Sequence, residues 1–316
     1  MNSIIDIVKN DDLKELKNNL KFSNVNSKDK DGNSLLHIAV FNNNPDIVRF
    51  LVVNASNINS KNEEGNTPLH FSIFWNYIGI FKYLLRNGAD YNIVNNDLES
   101  AFMLALRLGR QEMIDILLTF DVDLSLTNKF NENCVFYLIK SQNLDLFESL
   151  ILKTPSLLYS KNDISNTLLH EAVKRNNLVM TKYLVEKGLS VNAKNSYGET
   201  PLFLAAKNDN FEIASYLMDN MALIDIKNKF GETISDISSE RFNSFILDKS
   251  YSVKYSRYLT DYPLHVAVMK NDLTLVSQTV NRINLMKKDT FGLKAIDYAL
   301  KINNEKIIKL LRTESK

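Results

Sequence analysis

The amino-acid sequence predicts an all-α repeat solenoid that forms a single domain over residues 1–316. Two observations lead to this prediction. A four-residue pattern returns at nearly constant spacing along the chain, and apolar residues follow it at helical spacing. Self-similarity with a period of roughly 20–50 residues is typical of repeat architectures. A chain of 316 residues would ordinarily suggest two domains, but a continuous repeat overrides that expectation.

The repeated pattern is clearest in Ser34-Leu35-Leu36-His37, Thr67-Pro68-Leu69-His70 and Thr167-Leu168-Leu169-His170. If the third residue of each copy is taken as an anchor, the nine anchors from Leu36 onward are 33, 33, 33, 34, 33, 33, 29 and 32 residues apart. A further anchor fits 32 residues before Leu36. The sequence therefore predicts about ten units, anchored at Ile4, Leu36, Leu69, Phe102, Val135, Leu169, Leu202, Ser235, Leu264 and Ile296.

Each unit contains the residues expected of a turn followed by two helices. An Asn or Asp seven residues before the anchor and a Gly three residues later, as in Asn62 and Gly65, favour a tight turn, because Gly adopts positive φ without strain. Thr67 is suited to cap a helix, and Pro68 is suited to its first position. The later apolar residues, such as Ile80 and Leu84, predict a second amphipathic helix.

This pattern resembles the ankyrin repeat family, whose 33-residue unit is a β-turn and two antiparallel helices. The preferred Asn or Asp occurs at Asp29, Asn62, Asn95, Asn128, Asn162, Asn195, Asn228 and Asp289, and the preferred Gly at Gly32, Gly65, Gly198, Gly231 and Gly292. The resemblance extends over the whole chain. It implies that the protein binds a partner protein along a concave face made by the turn tips and the first helices.

The pattern weakens at several positions. The turn glycine is replaced at Leu98, Asn131, Ser165 and Thr260. We expect the one extra residue of the 34-residue spacing to lie near Pro155, which stops a helix. Residues 236–260 fit the repeat poorly, and we expect a shortened unit with an irregular connection there.

The residues that could carry chemistry have structural explanations. His37, His70, His170 and His265 occupy the same position of the repeat, where the resemblance implies hydrogen bonds to the adjoining turn. They would lie one repeat or more apart, too far to share a metal ion or a proton. Cys134, the only cysteine, has no neighbouring histidine to activate it and is expected to be buried. We therefore predict no enzymatic activity, no cofactor and no metal site.

Composition restricts the partner and the location. Lys and Arg total 38 and Asp and Glu total 37, so the formal net charge of +1 argues against a nucleic-acid partner. No signal peptide or membrane span is visible, which predicts a cytoplasmic protein, or one delivered into a host cell without a cleaved signal. An abundance of Asn, Lys and Ile, residues of A/T-rich codons, is compatible with a host-directed effector of an A/T-rich microbe.

The family's contact positions can be transferred to this sequence one by one. We expect acidic tips beside aromatic helix residues in the first units, and apolar tips beside basic residues in the middle. The predicted partner-binding residues are Phe41, Glu64, Phe74, Trp75, Asp97, Arg107, Phe130, Lys140, Lys174, Tyr197, Lys207 and Phe230. Packing between turns is an alternative role for the aromatic tips, and the basic row could be a solvated face. Phe74 and Trp75 are the most promising, because adjacent large aromatic residues at the exposed end of a first helix are unusual.

The sequence therefore favours a non-enzymatic protein-binding scaffold. One alternative is a nucleic-acid-binding module that uses the basic row Arg107–Lys207, and another is an adaptor for a larger complex. We expect a monomer, because the terminal units carry polar residues that can cap the solenoid, namely Lys14, Lys17, Asn18, Lys306 and Lys309.

Overall fold

A computed structural model describes residues 3–20, 24–290 and 292–314, with the backbone alone for residues 251–259. Apart from the short helices Pro155–Tyr159 and Arg282–Met286, the helices form consecutive pairs, which confirms the predicted all-helical repeat fold. We number the pairs along the chain as 1 (Ile4–Lys9, Leu13–Asn19), 2 (Leu35–Phe41, Pro45–Val53), 3 (Pro68–Phe74, Ile78–Arg86), 4 (Ala101–Leu108, Gln111–Leu117), 5 (Cys134–Ser141, Leu144–Lys153), 6 (Leu168–Lys174, Leu178–Glu186), 7 (Pro201–Lys207, Phe211–Asp219), 8 (Ile234–Ile237, Glu240–Asp261), 9 (Pro263–Met269, Leu273–Thr279) and 10 (Ala295–Ile302, Glu305–Thr313).

The first helices begin where the sequence predicts. The side chains of Ser34, Thr67 and Thr200 accept hydrogen bonds from backbone N–H groups in the first turn of the helix that follows each of them. Pro68 stands at the start of its helix, where a missing N–H costs nothing. The helix Leu144–Lys153 ends before Pro155, and a short 3₁₀ helix, Pro155–Tyr159, follows it.

A tight turn precedes each first helix from pair 2 to pair 8; we call it a finger and its outermost residue the tip. Gly65 has φ +75°, and a Cβ there would lie 2.5 Å from Asn96 Oδ1 of the next finger. Glycine therefore allows adjacent fingers to approach closely. Leu98, Asn131 and Ser165, which replace this glycine in other fingers, also adopt positive φ, between 55° and 59°.

Backbone hydrogen bonds join the fingers into a row. The N–H of Glu63 donates to the carbonyl of Asp31 (3.1 Å), and the N–H of Asn96 donates to the carbonyl of Glu64 (3.0 Å). Equivalent bonds continue from finger to finger as far as Lys229, whose N–H donates to Tyr197 (2.8 Å). The row fixes the spacing of the tips relative to one another.

Residues 236–260, where we expect a shortened unit with an irregular connection, are largely helical. The first helix of pair 8 has only four residues, Ile234–Ile237, and is followed by a continuous 22-residue helix, Glu240–Asp261. Thr260 lies inside this helix, so it does not form the finger turn that its repeat position predicts. The anchor Ser235 is exposed, because Phe242 and Ile246 of the long helix supply the buried apolar groups instead.

The apolar core follows the stack of helix pairs. Among the described side chains it forms two clusters, one between residues 7 and 246 and one between residues 264 and 311. The helix Glu240–Asp261 connects the two clusters along the chain. Within each cluster, neighbouring pairs bury their apolar faces against one another, as expected of a solenoid. None of the helices in the part of the chain that the structure describes has both the length and the apolar character needed to span a bilayer.

Candidate functional site

The predicted partner-binding residues lie along a groove between the finger tips and the C-terminal ends of the first helices. Phe41 and Phe74 end the first helices of pairs 2 and 3, and Trp75 caps the second of these helices. The tips Glu64 and Asp97 line the same cavity as these aromatic residues. The repeat therefore brings side chains that are about 33 residues apart in sequence into one surface.

Three exposed rings form an aromatic patch, which we define as Phe41, Phe74 and Trp75. Their exposed fractions are 52%, 50% and 44%. The Trp75 ring contacts Phe41 at 5.4 Å and Phe74 at 5.3 Å between centroids, both edge to face. The prediction that Phe74 and Trp75 are exposed and close to Phe41 is confirmed. Edge-to-face contacts of this kind stabilise the positions of the rings relative to one another.

The acidic residues around the patch differ from the expectation. The cavity of about 360 Å³ at the patch is also lined by Glu64, Asp97 and Arg107. Glu64 is exposed and accepts a hydrogen bond from Asn66 Nδ2 (2.9 Å). Asp97 is instead paired with Lys129, whose Nζ lies 2.7 Å from its carboxylate. Of the two predicted acidic tips, only Glu64 therefore carries a charge that no cation of the described residues balances.

Three of the four cations in the basic row are paired with carboxylates. Arg107 makes a bidentate pair with the buried Glu99, at 2.7 and 2.8 Å. Equivalent partners balance two further members of the row, in the pairs Lys140–Glu132 and Lys207–Glu199. The remaining member, Lys174, is exposed and has no carboxylate partner among the described residues.

These buried glutamates, and a tyrosine that links two of them, were not predicted from the sequence. The Tyr137 hydroxyl donates to Glu99 Oε1 (2.9 Å) and accepts from Asn128 Nδ2 (2.9 Å), which also donates to Glu132 (3.1 Å). Burial and the nearby Glu99 carboxylate raise the pKa of Tyr137, so the phenol stays protonated. The sequence does contain a pattern that indicates these ion pairs. In each of the three units, a Glu lies three residues before the anchor and a Lys or Arg lies five residues after it.

The histidines have the structural role that the resemblance implies. In His37, His70 and His170 a backbone N–H donates to Nδ1, and Nε2 lies 2.9–3.1 Å from a carbonyl oxygen of the next finger. This arrangement requires the neutral ring with its proton on Nε2. Burial lowers the pKa of each of these three histidines to about 4. His265 Nε2 makes the corresponding contact with Leu293 O at 3.0 Å.

Cys134 is buried, as expected, and its Sγ lies 3.7 Å from the carbonyl of Leu124. Burial raises the pKa of this thiol to about 12, so it is protonated at neutral pH. A neutral, inaccessible thiol is a poor nucleophile. Its place in the structure is that of a small apolar side chain.

A model of ankyrin repeats matches residues 4–95 and 142–229 in three copies, which together make up more than half of the chain. The chain belongs to the ankyrin repeat family. No curated protein was found to match it.

Ankyrin repeats generally mediate protein–protein interactions and are typically non-enzymatic scaffolds. The matched segments leave out residues 96–141, which contain pair 4 and the first helix of pair 5. In this ankyrin chain, those pairs carry the ion pairs Glu99–Arg107 and Glu132–Lys140. The groove therefore continues through the segment that lies between the two matched ranges.

The other predicted tips also lie on the surface. Phe130, Tyr197 and Phe230 are exposed, with 72% of Phe230 accessible. Lys129 Nζ lies 5.4 Å from the centre of the Phe130 ring. Packing between fingers therefore does not bury these rings. The contact positions that the resemblance implies also include Phe291, which lies outside the described residues.

Proposed function

We propose that this ankyrin chain is a non-enzymatic scaffold that holds a partner protein in the groove, with the aromatic patch as the anchor. The observation that carries the proposal is the exposure of three rings, Phe41, Phe74 and Trp75, beside a cavity of about 360 Å³; Trp75 contacts each of the other two. Exposed apolar clusters rimmed by polar groups mark interaction sites. Tryptophan is also enriched among residues that dominate binding energy.

The double variant Phe74→Ala, Trp75→Ala tests the anchor. Because both rings are about half exposed, we expect the thermal midpoint to change by a few degrees at most. Partner capture in pull-downs from cells should fall at least tenfold, since losing an interface hot spot costs about 2–4 kcal/mol. Tyr159→Ala is the matched control, because Tyr159 is 70% exposed but does not line the cavity at the patch. A large fall in midpoint would place the rings in the core, and unchanged capture would place the partner elsewhere.

Glu64 gives the partner a charge preference. Its carboxylate is exposed beside the patch and unbalanced, so the docking segment should carry Lys or Arg next to an apolar residue. Charges at the rim of an interface act mainly on encounter. We therefore expect Glu64→Lys to slow association more than it accelerates release, measured by surface plasmon resonance with the captured partner. A change confined to release would contradict this role.

The nucleic-acid alternative loses most of its support, because Arg107, Lys140 and Lys207 each have a buried glutamate partner. Phosphate binding would have to displace these carboxylates. Steep salt dependence of binding to random duplex DNA would revive this alternative. We also propose that the scaffold is a monomer in the cytoplasm or in a host cell, where it acts alone or as an adaptor in a larger complex.

A further inference from the structure

The groove contains two cavities that adjoin. The cavity at the aromatic patch, about 360 Å³, and a second cavity of about 510 Å³ are both lined by Asp97 and Arg107. The second cavity continues over pairs 4 to 6 and reaches Lys174 at the end of a first helix. A segment that lies in one cavity can therefore continue into the other.

The two cavities differ in uncompensated charge. At the aromatic patch, Asp97 is paired with Lys129 and Arg107 with Glu99, so Glu64 leaves one negative charge. In the second cavity the carboxylates have partners, including Glu132 with Lys140 and Glu171 with Arg175. Lys174 leaves one positive charge there. The groove is thus negative and aromatic at one end and positive at the other.

The distance between these charges sets a spacing for the occupant. Glu64 belongs to pair 3 and Lys174 to pair 6, so three helix-to-helix steps separate them. Packed helices are about 8–10 Å apart, which gives about 24–30 Å. An extended chain advances about 3.3 Å per residue, so about eight residues cover this distance.

We propose that the partner's docking segment is an extended peptide with a cation beside an apolar residue at one end and a carboxylate about eight residues away. The apolar group would pack on Phe74 and Trp75, the cation would face Glu64, and the carboxylate would pair with Lys174. The paired cations between them, Arg107 and Lys140, keep N–H groups that can donate to the peptide's carbonyl groups. This inference rests on the proposed function, because it assumes that the patch anchors the partner.

Labelled synthetic peptides test the spacing directly. The probes are Gly/Ser peptides with Leu-Arg near one end and Glu placed four, eight or twelve residues away, in both chain directions. Fluorescence anisotropy should show that one direction of the eight-residue spacing binds at least fivefold more tightly than the other peptides. Equal affinity for all spacings, or no measurable binding by any peptide, would overturn the inference.

A charge exchange identifies the positive end of the groove. Lys174→Glu should weaken binding of the eight-residue peptide at least fivefold, and replacing the peptide's Glu with Lys should restore it. Lys153→Glu is the matched control, because Lys153 is exposed at the end of a second helix and lines neither cavity. If Lys174→Glu binds all peptides as the parent does, the inference is wrong.

The failure of this inference can be told apart from the failure of the proposed function. If Phe74→Ala, Trp75→Ala abolishes partner capture while Lys174→Glu leaves capture and peptide binding unchanged, the anchor stands and the two-ended segment is wrong. If the double variant captures the partner as the parent does, the proposed function fails, whatever the peptides show.

Discussion

Pairs 2 and 3 and pairs 4 and 5 reach the same backbone arrangement with different side chains between finger and helix. In pair 3 the link is a neutral histidine, His70, which bonds the next finger. In pair 4, Met103 takes the place of the histidine, and the ion pair Glu99–Arg107 joins the finger to the end of the helix. We call these arrangements the histidine junction and the ion-pair junction.

Each of pairs 2–7 has one junction or the other, and none of them has both. Pairs 2, 3 and 6 have a histidine junction and an Asn three residues before the anchor, at Asn33, Asn66 and Asn166. Pairs 4, 5 and 7 have Met or Phe in place of histidine and a buried Glu at that position, at Glu99, Glu132 and Glu199. The difference explains the distribution of charge along the groove, because only an ion-pair junction neutralises the cation at the end of the first helix. Lys174 is unpaired because pair 6 has a histidine junction.

The same rule explains how neighbouring fingers are linked. At a histidine junction the Asn side chain accepts from the Asn of the next finger, as Asn33 does from Asn62 (3.0 Å) and Asn66 from Asn95 (3.1 Å). At an ion-pair junction the glutamate is engaged by its own cation. In pairs 5 and 7 the Asn amide of the same finger also donates to the glutamate, as Asn128 does to Glu132 (3.1 Å). In pair 4 the amide of Asn95 donates to Asn66 of the preceding finger instead.

Acid should destabilise the histidine junctions. This is the largest change in the free energy of unfolding that we expect. The folded-state pKa of His37 and of His70 is about 4, below the ordinary 6.5, so between these values the unfolded chain binds more protons. Stability is therefore complete above about pH 6.5 and falls as the pH decreases towards 4. At pH 5 the loss is about 2 kcal/mol per histidine. Urea unfolding at pH 7.5 and 5, followed by the fluorescence of Trp75, the only tryptophan, measures it.

The variant His70→Met is the control for the acid effect, since Met occupies the equivalent position in pair 4. It should be less stable than the parent at pH 7.5. Between pH 7.5 and 5, its free energy of unfolding should fall by less than the parent's, and the difference should equal the contribution of one histidine. A variant that keeps the whole pH dependence of the parent would show that other groups cause it.

The fold could be predicted from sequence because it depends on local signals that repeat. Thr67, Pro68 and Gly65 act within one turn of the chain, and each repetition adds independent support. The helix Glu240–Asp261 could not be predicted this way, because a single departure from the period gives no second copy against which to compare it. There the long helix supplies Phe242 and Ile246 to the core in place of a regular unit.

The candidate site was predictable in position but not in charge. Phe41, Phe74 and Trp75 follow from the repeat position and a helix end, and the structure exposes them as expected. Whether the charge of Arg107 is balanced depends on Glu99, which lies eight residues earlier on the finger of the same pair. Whether that glutamate is buried depends on tertiary packing, so a count of cations in the sequence overestimates the positive charge of the groove.

A double-mutant cycle in pair 4 tests the ion-pair junction. We expect a change of intermediate size in the free energy of unfolding. Arg107→Phe leaves Glu99 buried without its cation and should destabilise the protein by about 2 kcal/mol. This is less than the cost of breaking a fully buried ion pair, because Arg107 is partly exposed. The double change Glu99→Asn, Arg107→Phe recreates the residues of pair 3 at both positions and should recover most of the loss. Urea unfolding measures both. If the double variant is as unstable as the sum of the single variants, the two residues do not act as a unit.

The smallest expected effect concerns the finger of pair 4, where Leu98 occupies the position of Gly65 with φ +59°. A left-handed conformation costs a non-glycine residue about 1–2 kcal/mol, while glycine loses more entropy on folding. Leu98→Gly should therefore stabilise the protein by about 0.5–1 kcal/mol in urea unfolding, because Leu98 is also 46% exposed and buries little apolar surface. Leu98→Asn should give a smaller gain, since Asn131 adopts φ +55° at the same place in pair 5. A loss of stability in both variants would mean that contacts of the Leu98 side chain outweigh the backbone strain, and that this finger of pair 4 is adapted to leucine.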